Sequence, residues 1–157
     1  MKIFMTFNPH LENYSKTKLL ENFKYALKKY YRKELGRRYY KHINNQYVIA
    51  IFEEIGKKFF EKMDEATHLI KYIEKDIEYK REPHLHIIAD IPTHTEKNFF
   101  NSLKDTLKII YPSLTTDYQL IGNDVDEKNV WNYCSKEGRN ILSKNDLTEK
   151  CYRYCYR

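Results

Sequence analysis

Pro83-His84-Leu85-His86, running into Ile87-Ile88-Ala89, constrains this chain more than any other segment, because it reads as a strand carrying two histidines on one face. Side chains alternate across a strand, so His84 and His86 point the same way while Leu85 enters the opposite layer. Two imidazoles one pleat apart can share a divalent cation. The plain alternative is a pair of histidines facing solvent on a half-exposed sheet. Farther along, Asn129-Val130-Trp131-Asn132-Tyr133-Cys134-Ser135-Lys136-Glu137-Gly138 reads as helix, with Tyr133 and Lys136 three apart and hence on one face. A histidine pair followed by a tyrosine-lysine pair suggests phosphoryl transfer to tyrosine. A tyrosine hydroxyl ionises near a pKa of about 10, so a neighbouring ammonium such as that of Lys136 would stabilise the developing phenolate or the phosphate charge.

The rest of the chain alternates between strand and helix patterns. Residues 3 to 8 read as a strand ended by Asn8-Pro9, and from Ser15 to Gly36 the positions Leu19, Leu20, Phe23, Leu27, Tyr30 and Tyr31 recur at helical spacing. Tyr47-Val48-Ile49-Ala50-Ile51-Phe52 is a second strand, ending at Glu53-Glu54. Phe59, Phe60, Met63, Ala66, Ile70, Ile73 and Ile77 keep one apolar stripe, which places a helix over residues 56–77, inserted before the histidine strand. That strand covers about His84 to Ile91. Thr93-His94-Thr95-Glu96 then has the form of a capping box opening a helix with Phe99, Phe100, Leu103, Leu107 and Ile110 inward, ended by Tyr111-Pro112. Residues 115–121 are a further strand candidate, and Asp124 or Asp126 can cap the helix of Tyr133. The expectation is an α/β (α+β) fold of one domain spanning residues 1–157.

Of the 157 residues, 41% are apolar and 15% aromatic, enough to bury a core in a highly charged chain. No apolar run approaches the roughly 20 residues that span a bilayer, and the start lacks a signal-peptide pattern. The expectation is an intracellular protein with no membrane partner. Cys134, Cys151 and Cys155 make an odd count, read as reduced thiols. Four glycines, Gly36, Gly56, Gly122 and Gly138, form no G-x-x-x-x-G-K pattern, so no nucleotide and no helicase domain are expected. A net charge of +6 and a pI near 9.0 favour a polyanionic partner. Lys28, Lys29, Arg32, Lys33, Arg37, Arg38 and Lys41 crowd one segment with Tyr30, Tyr31, Tyr39 and Tyr40. Cations for phosphates and rings for bases suit a single-strand groove. Equally, they suit a solvated helix face whose tyrosines lie in the core.

Phe4-Met5-Thr6-Phe7-Asn8, His84-Leu85-His86 and Tyr133-Cys134-Ser135-Lys136, in that order, resemble the three motifs of the HUH endonucleases. Within that family the likeness is to the rolling-circle replication initiators of small single-stranded DNA viruses, phages and plasmids. The spacing between the first two motifs is longer than usual there. The resemblance implies a largely antiparallel sheet with helices packed on one face. It implies nicking and joining of single-stranded or hairpin origin DNA through a 5′-phosphotyrosine on Tyr133, with His84 and His86 as metal ligands. A third, carboxylate ligand would come from the adjacent strand. Glu54 is the closest match, Glu53 the second choice, and Glu74 or Asp76 if residues 68–79 are the neighbouring strand instead. The cofactor would be Mg²⁺ or Mn²⁺. Thr6 and Asn8 join Arg37, Arg38 and Lys41 as the expected DNA-binding set, the ordinary reading of Thr6 and Asn8 being a strand end with an Asn-Pro turn. A host helicase or polymerase would be recruited, or the chain is part of a longer protein. The compartment would be the cytoplasm of a microbial host or a eukaryotic nucleus. A transposase or plasmid relaxase of the same chemistry, and a non-catalytic single-strand binding module, are the competing expectations.

Overall fold

Strand β1 (Lys2–Asn8) is an inner strand of the sheet in the computed structural model, which describes residues 1–11, 15–39, 47–55, 81–134 and the strand backbone at 151–154. Its side chains alternate: Ile3, Met5 and Phe7 are buried on one face, while on the other Phe4 is buried and Thr6 half-buried. Pro9, with no N–H to donate, ends the ladder. Helix α1 (Lys16–Leu35) starts at Ser15, whose hydroxyl accepts the Lys18 N–H. It stops at Gly36, where φ of +81° needs a residue without a Cβ and the glycine N–H reaches the Arg32 carbonyl.

Strands β2 (Val48–Ile55) and β3 (Arg81–Asp90) follow, then helix α2 (Glu96–Ile110), strand β4 (Thr115–Ile121), helix α3 (Asp124–Cys134) and strand β5 (Cys151–Tyr154). The strands form one sheet in the order β4-β1-β3-β2-β5, antiparallel at every pairing. This is the mixed α/β fold with an antiparallel sheet that the sequence predicts. The expected helix over 56–77 lies outside the described residues, as do Glu74 and Asp76. Among the described residues no helix is long and apolar enough to cross a membrane.

Helices α1 and α2 share one face of the sheet. Leu19, Phe23, Leu27, Phe99 and Leu103 pack there on Ile3, Met5, Phe7, Val48, Ala50, Leu85 and Ile87. Tyr30, Tyr31 and Tyr39 belong to the same core, and burial pushes the Tyr31 hydroxyl well above its ordinary pKa. These three tyrosines of the basic segment are therefore core residues, and the stacking role open to them in the sequence falls away. Phe23 is fully buried with its ring 6.0 Å from that of Phe7. Phe23→Ala should cost about 3–5 kcal/mol, a large part of a stability of about 5–15 kcal/mol, read as a shift in the urea midpoint.

Two helix starts differ from expectation. The capping box Thr93-His94-Thr95-Glu96 does not form: the N-cap is Thr95, whose hydroxyl donates to the Pro92 carbonyl and makes no cap hydrogen bond. At α3 the cap is Asn123, whose Oδ1 accepts the Asp126 N–H at 2.8 Å, while Asp124, Asp126 and Glu127 line the first turn and complement the helix dipole. Ile110 is 37% exposed, so the inward stripe of α2 ends at Leu107.

Candidate metal centre

The second face of the sheet carries the histidines. On β3, His84 and His86 lie on the face opposite Leu85, and β3 runs between β1 and β2 with His86 opposite Thr6 on one side and Ile51 on the other. His84 is opposite Glu53. Just beyond that pair the β2–β3 register shifts, between Glu53 and Ile55, next to Pro83, which has no N–H to continue a regular ladder.

Glu53, His84 and His86 form a group that could hold a metal ion, with one donor atom from each within 4.8 Å of the others. All three are buried. Among the described side chains the carboxylate brought to the histidines is Glu53, the second choice from the sequence; the side chain of Glu54, the first choice, lies outside the described residues. The sequence did not put Glu53 first because β2 has apolar residues on both faces, Val48, Ala50 and Phe52 against Ile49 and Ile51, so its pattern does not say which glutamate shares a face with His84. Only the cross-strand register decides.

The donor chemistry suits a cation. His84 Nδ1 lies 2.6 Å from the Glu82 carbonyl oxygen, which can only accept, so Nδ1 carries the proton and the imidazole lone pair falls on Nε2. His86 Nδ1 meets the Thr6 hydroxyl at 3.0 Å, and its Nε2 stands 3.4 Å from Glu53 Oε1. Such outer partners fix the tautomer and ring orientation of a ligating histidine. A carboxylate buried to this depth is costly without positive charge beside it, and a bound cation supplies it. Thr6 thus has a role the sequence did not assign: it orients His86. Thr6→Val, which keeps the shape and removes the hydroxyl, should weaken Mn²⁺ binding by about 10–100-fold in calorimetric titration.

Helix α3 covers part of this face. Val130, Trp131 and Cys134 pack on Phe4, Ile49, Ile51 and Ile88 in a second core. The Lys2 ammonium meets Glu127 at 2.7 Å, tying β1 to the first turn of the helix, and this hydrogen bond holds the Lys2 pKa above its ordinary range. The packing leaves Tyr133 38% exposed and directly beside the metal group. Its ring centroid is 5.2 Å from that of His86 and 6.2 Å from that of Phe4, which itself stacks on His86 at 5.4 Å.

The structure therefore gathers Thr6, His84, His86 and Tyr133 from distant parts of the sequence into one place. Lys136 lies outside the described residues, as does Lys41. Asn8 closes a turn, its Oδ1 accepting the His10 N–H at 2.9 Å, which is the ordinary reading of that residue. Arg37 and Arg38 are exposed in the turn after α1, a helix packed on the opposite face of the sheet. Cys134 is buried. Neither a protein-family model, nor a curated protein, nor a solved structure matches the chain.

Proposed function

We propose that this protein nicks and joins single-stranded DNA by transesterification through Tyr133, in the manner of the HUH endonucleases that initiate rolling-circle replication. The observation that supports this best is the adjacency of the Tyr133 and His86 rings at 5.2 Å, beside a buried Glu-His-His group. A metal-binding trio alone fits many activities. A part-exposed tyrosine against it fits attack on a phosphodiester.

Glu53, His84 and His86 would hold Mg²⁺ or Mn²⁺, which when bound supplies Lewis-acid polarisation of a phosphoryl oxygen. Glu53 contributes the negative charge of the ligand set, and Thr6 and the Glu82 carbonyl keep the two imidazoles turned with Nε2 inward. The Tyr133 oxygen forms a bond to phosphorus as the bond from phosphorus to the 3′ oxygen breaks. The phenolic proton passes to solvent, and the departing 3′ oxygen takes one up. Because a phosphodiester is exchanged for a phosphodiester, the step is reversible, and a new 3′-hydroxyl can displace Tyr133. Lys136, three residues on in the sequence, would offset the charge on the phenolate or the phosphate.

The test is incubation of the protein with hairpin-bearing single-stranded DNA and Mn²⁺, followed by denaturing electrophoresis. A denaturation-resistant protein-DNA adduct that is absent with chelator is the expected result. DNA binding that survives chelation with no adduct would instead make this a binding module.

A further inference from the structure

A cleft of about 460 Å³ lies between α3 and the edge strand β4, and its wall toward the metal group consists of Phe4 and Tyr133. Both rings also neighbour His86, so the cleft and the metal group are separated by a single layer of side chains. Gln119, opposite Phe4 across the β1–β4 ladder, lines it together with Asp126 and Asn129 from α3. The volume falls in the range of about 300–1,000 Å³ typical of small-molecule sites.

We infer that this cleft holds one nucleobase of the DNA strand, next to the phosphate presented to Tyr133, and that it prefers a base bearing an exocyclic amino group. The ring surfaces of Phe4 and Tyr133 suit a flat base, since a base offers a π-face whatever its sequence. The amides of Gln119 and Asn129 each offer a donor and an acceptor, as a base edge requires. Asp126 is the charged residue of the lining, and its carboxylate repels a phosphate, so the occupant is a base and not the backbone. A carboxylate only accepts hydrogen bonds, so it favours the amino group of cytosine or adenine over the carbonyl that thymine presents at the same place. The choice of a deoxynucleotide as ligand rests on the DNA-transfer reading, whereas the preference rests on the lining.

Nuclear magnetic resonance titration of the metal-free protein with deoxycytidine and with thymidine tests this without any cleavage step. The side-chain amide signals of Gln119 and Asn129 should move with deoxycytidine, at a dissociation constant about fivefold or more below that for thymidine. Asp126→Asn, a substitution at an exposed position that leaves the fold intact, should bring the two constants together. Still amides, or equal constants for both nucleosides in the unsubstituted protein, would overturn the inference. So would a preference that persists in Asp126→Asn. The DNA-adduct assay is read separately: an adduct with unmoved amides removes the base site and keeps the transfer chemistry, and moved amides with no adduct do the reverse.

Discussion

Tyr133→Phe should leave the protein able to bind single-stranded DNA and unable to attach to it. The substitution removes one oxygen and keeps the ring, so the contacts with His86 and Phe4 and the seating of α3 persist. In enzymes that lose their nucleophile the rate falls by on the order of a millionfold, and adduct formation should drop below detection here. Affinity for DNA lies mainly in phosphate contacts, and one lost hydrogen bond of about 0.5–1.5 kcal/mol changes it by about tenfold at most. Electrophoresis for the adduct and fluorescence anisotropy for binding separate the two effects. Cleavage at the normal rate in this variant would move the nucleophile to another tyrosine.

Glu53→Gln should abolish metal binding, and Glu54→Gln should not. Replacing a directly ligating carboxylate exceeds the loss expected for an outer partner, so Mn²⁺ affinity should fall by more than about a hundredfold. Thermal unfolding gives a second readout. An ion at a hundred times its dissociation constant adds about 2.7 kcal/mol to the folded state, which for a chain of this size raises the midpoint by about 5–10 °C. The unsubstituted protein and Glu54→Gln should show that rise on adding Mn²⁺, and Glu53→Gln should melt at the same temperature with and without it. The metal-free Glu53→Gln variant should also unfold no more readily than the unsubstituted protein, because a neutral amide replaces a buried carboxylate.

Much of this arrangement was legible from local pattern. The alternation His84-Leu85-His86 fixed which residues share a face, Ser15 and Gly36 marked both ends of α1, and the stripe from Leu19 to Tyr31 gave its buried side. These are short-range signals, set by bond geometry within one element. What escaped the sequence were relations between elements. Glu53 against Glu54 depends on the β2–β3 register beside Pro83, and a strand apolar on both faces carries no mark of it. The Thr6 hydroxyl reaching His86 depends on the β1–β3 register. Asn123 took the cap of α3 from Asp124 and Asp126 because an N-cap is chosen by which oxygen meets the first N–H groups, and neighbouring Asn and Asp residues compete for that place on nearly equal terms. In the basic segment composition was ambiguous by nature. A helix buried on one side alternates tyrosine and lysine as readily as a DNA groove does, and the core claimed Tyr30, Tyr31 and Tyr39.

The site at which DNA becomes attached tests the role of Tyr133 most directly. After reaction with hairpin-bearing single-stranded DNA and Mn²⁺, nuclease trimming and proteolysis would leave a nucleotide remnant on one peptide, identified by tandem mass spectrometry. The remnant should sit on Tyr133, beside His86, and should be missing when chelator replaces the metal. A remnant on another tyrosine, such as the exposed Tyr25 of α1 on the far face of the sheet, or no remnant on any residue, would contradict it.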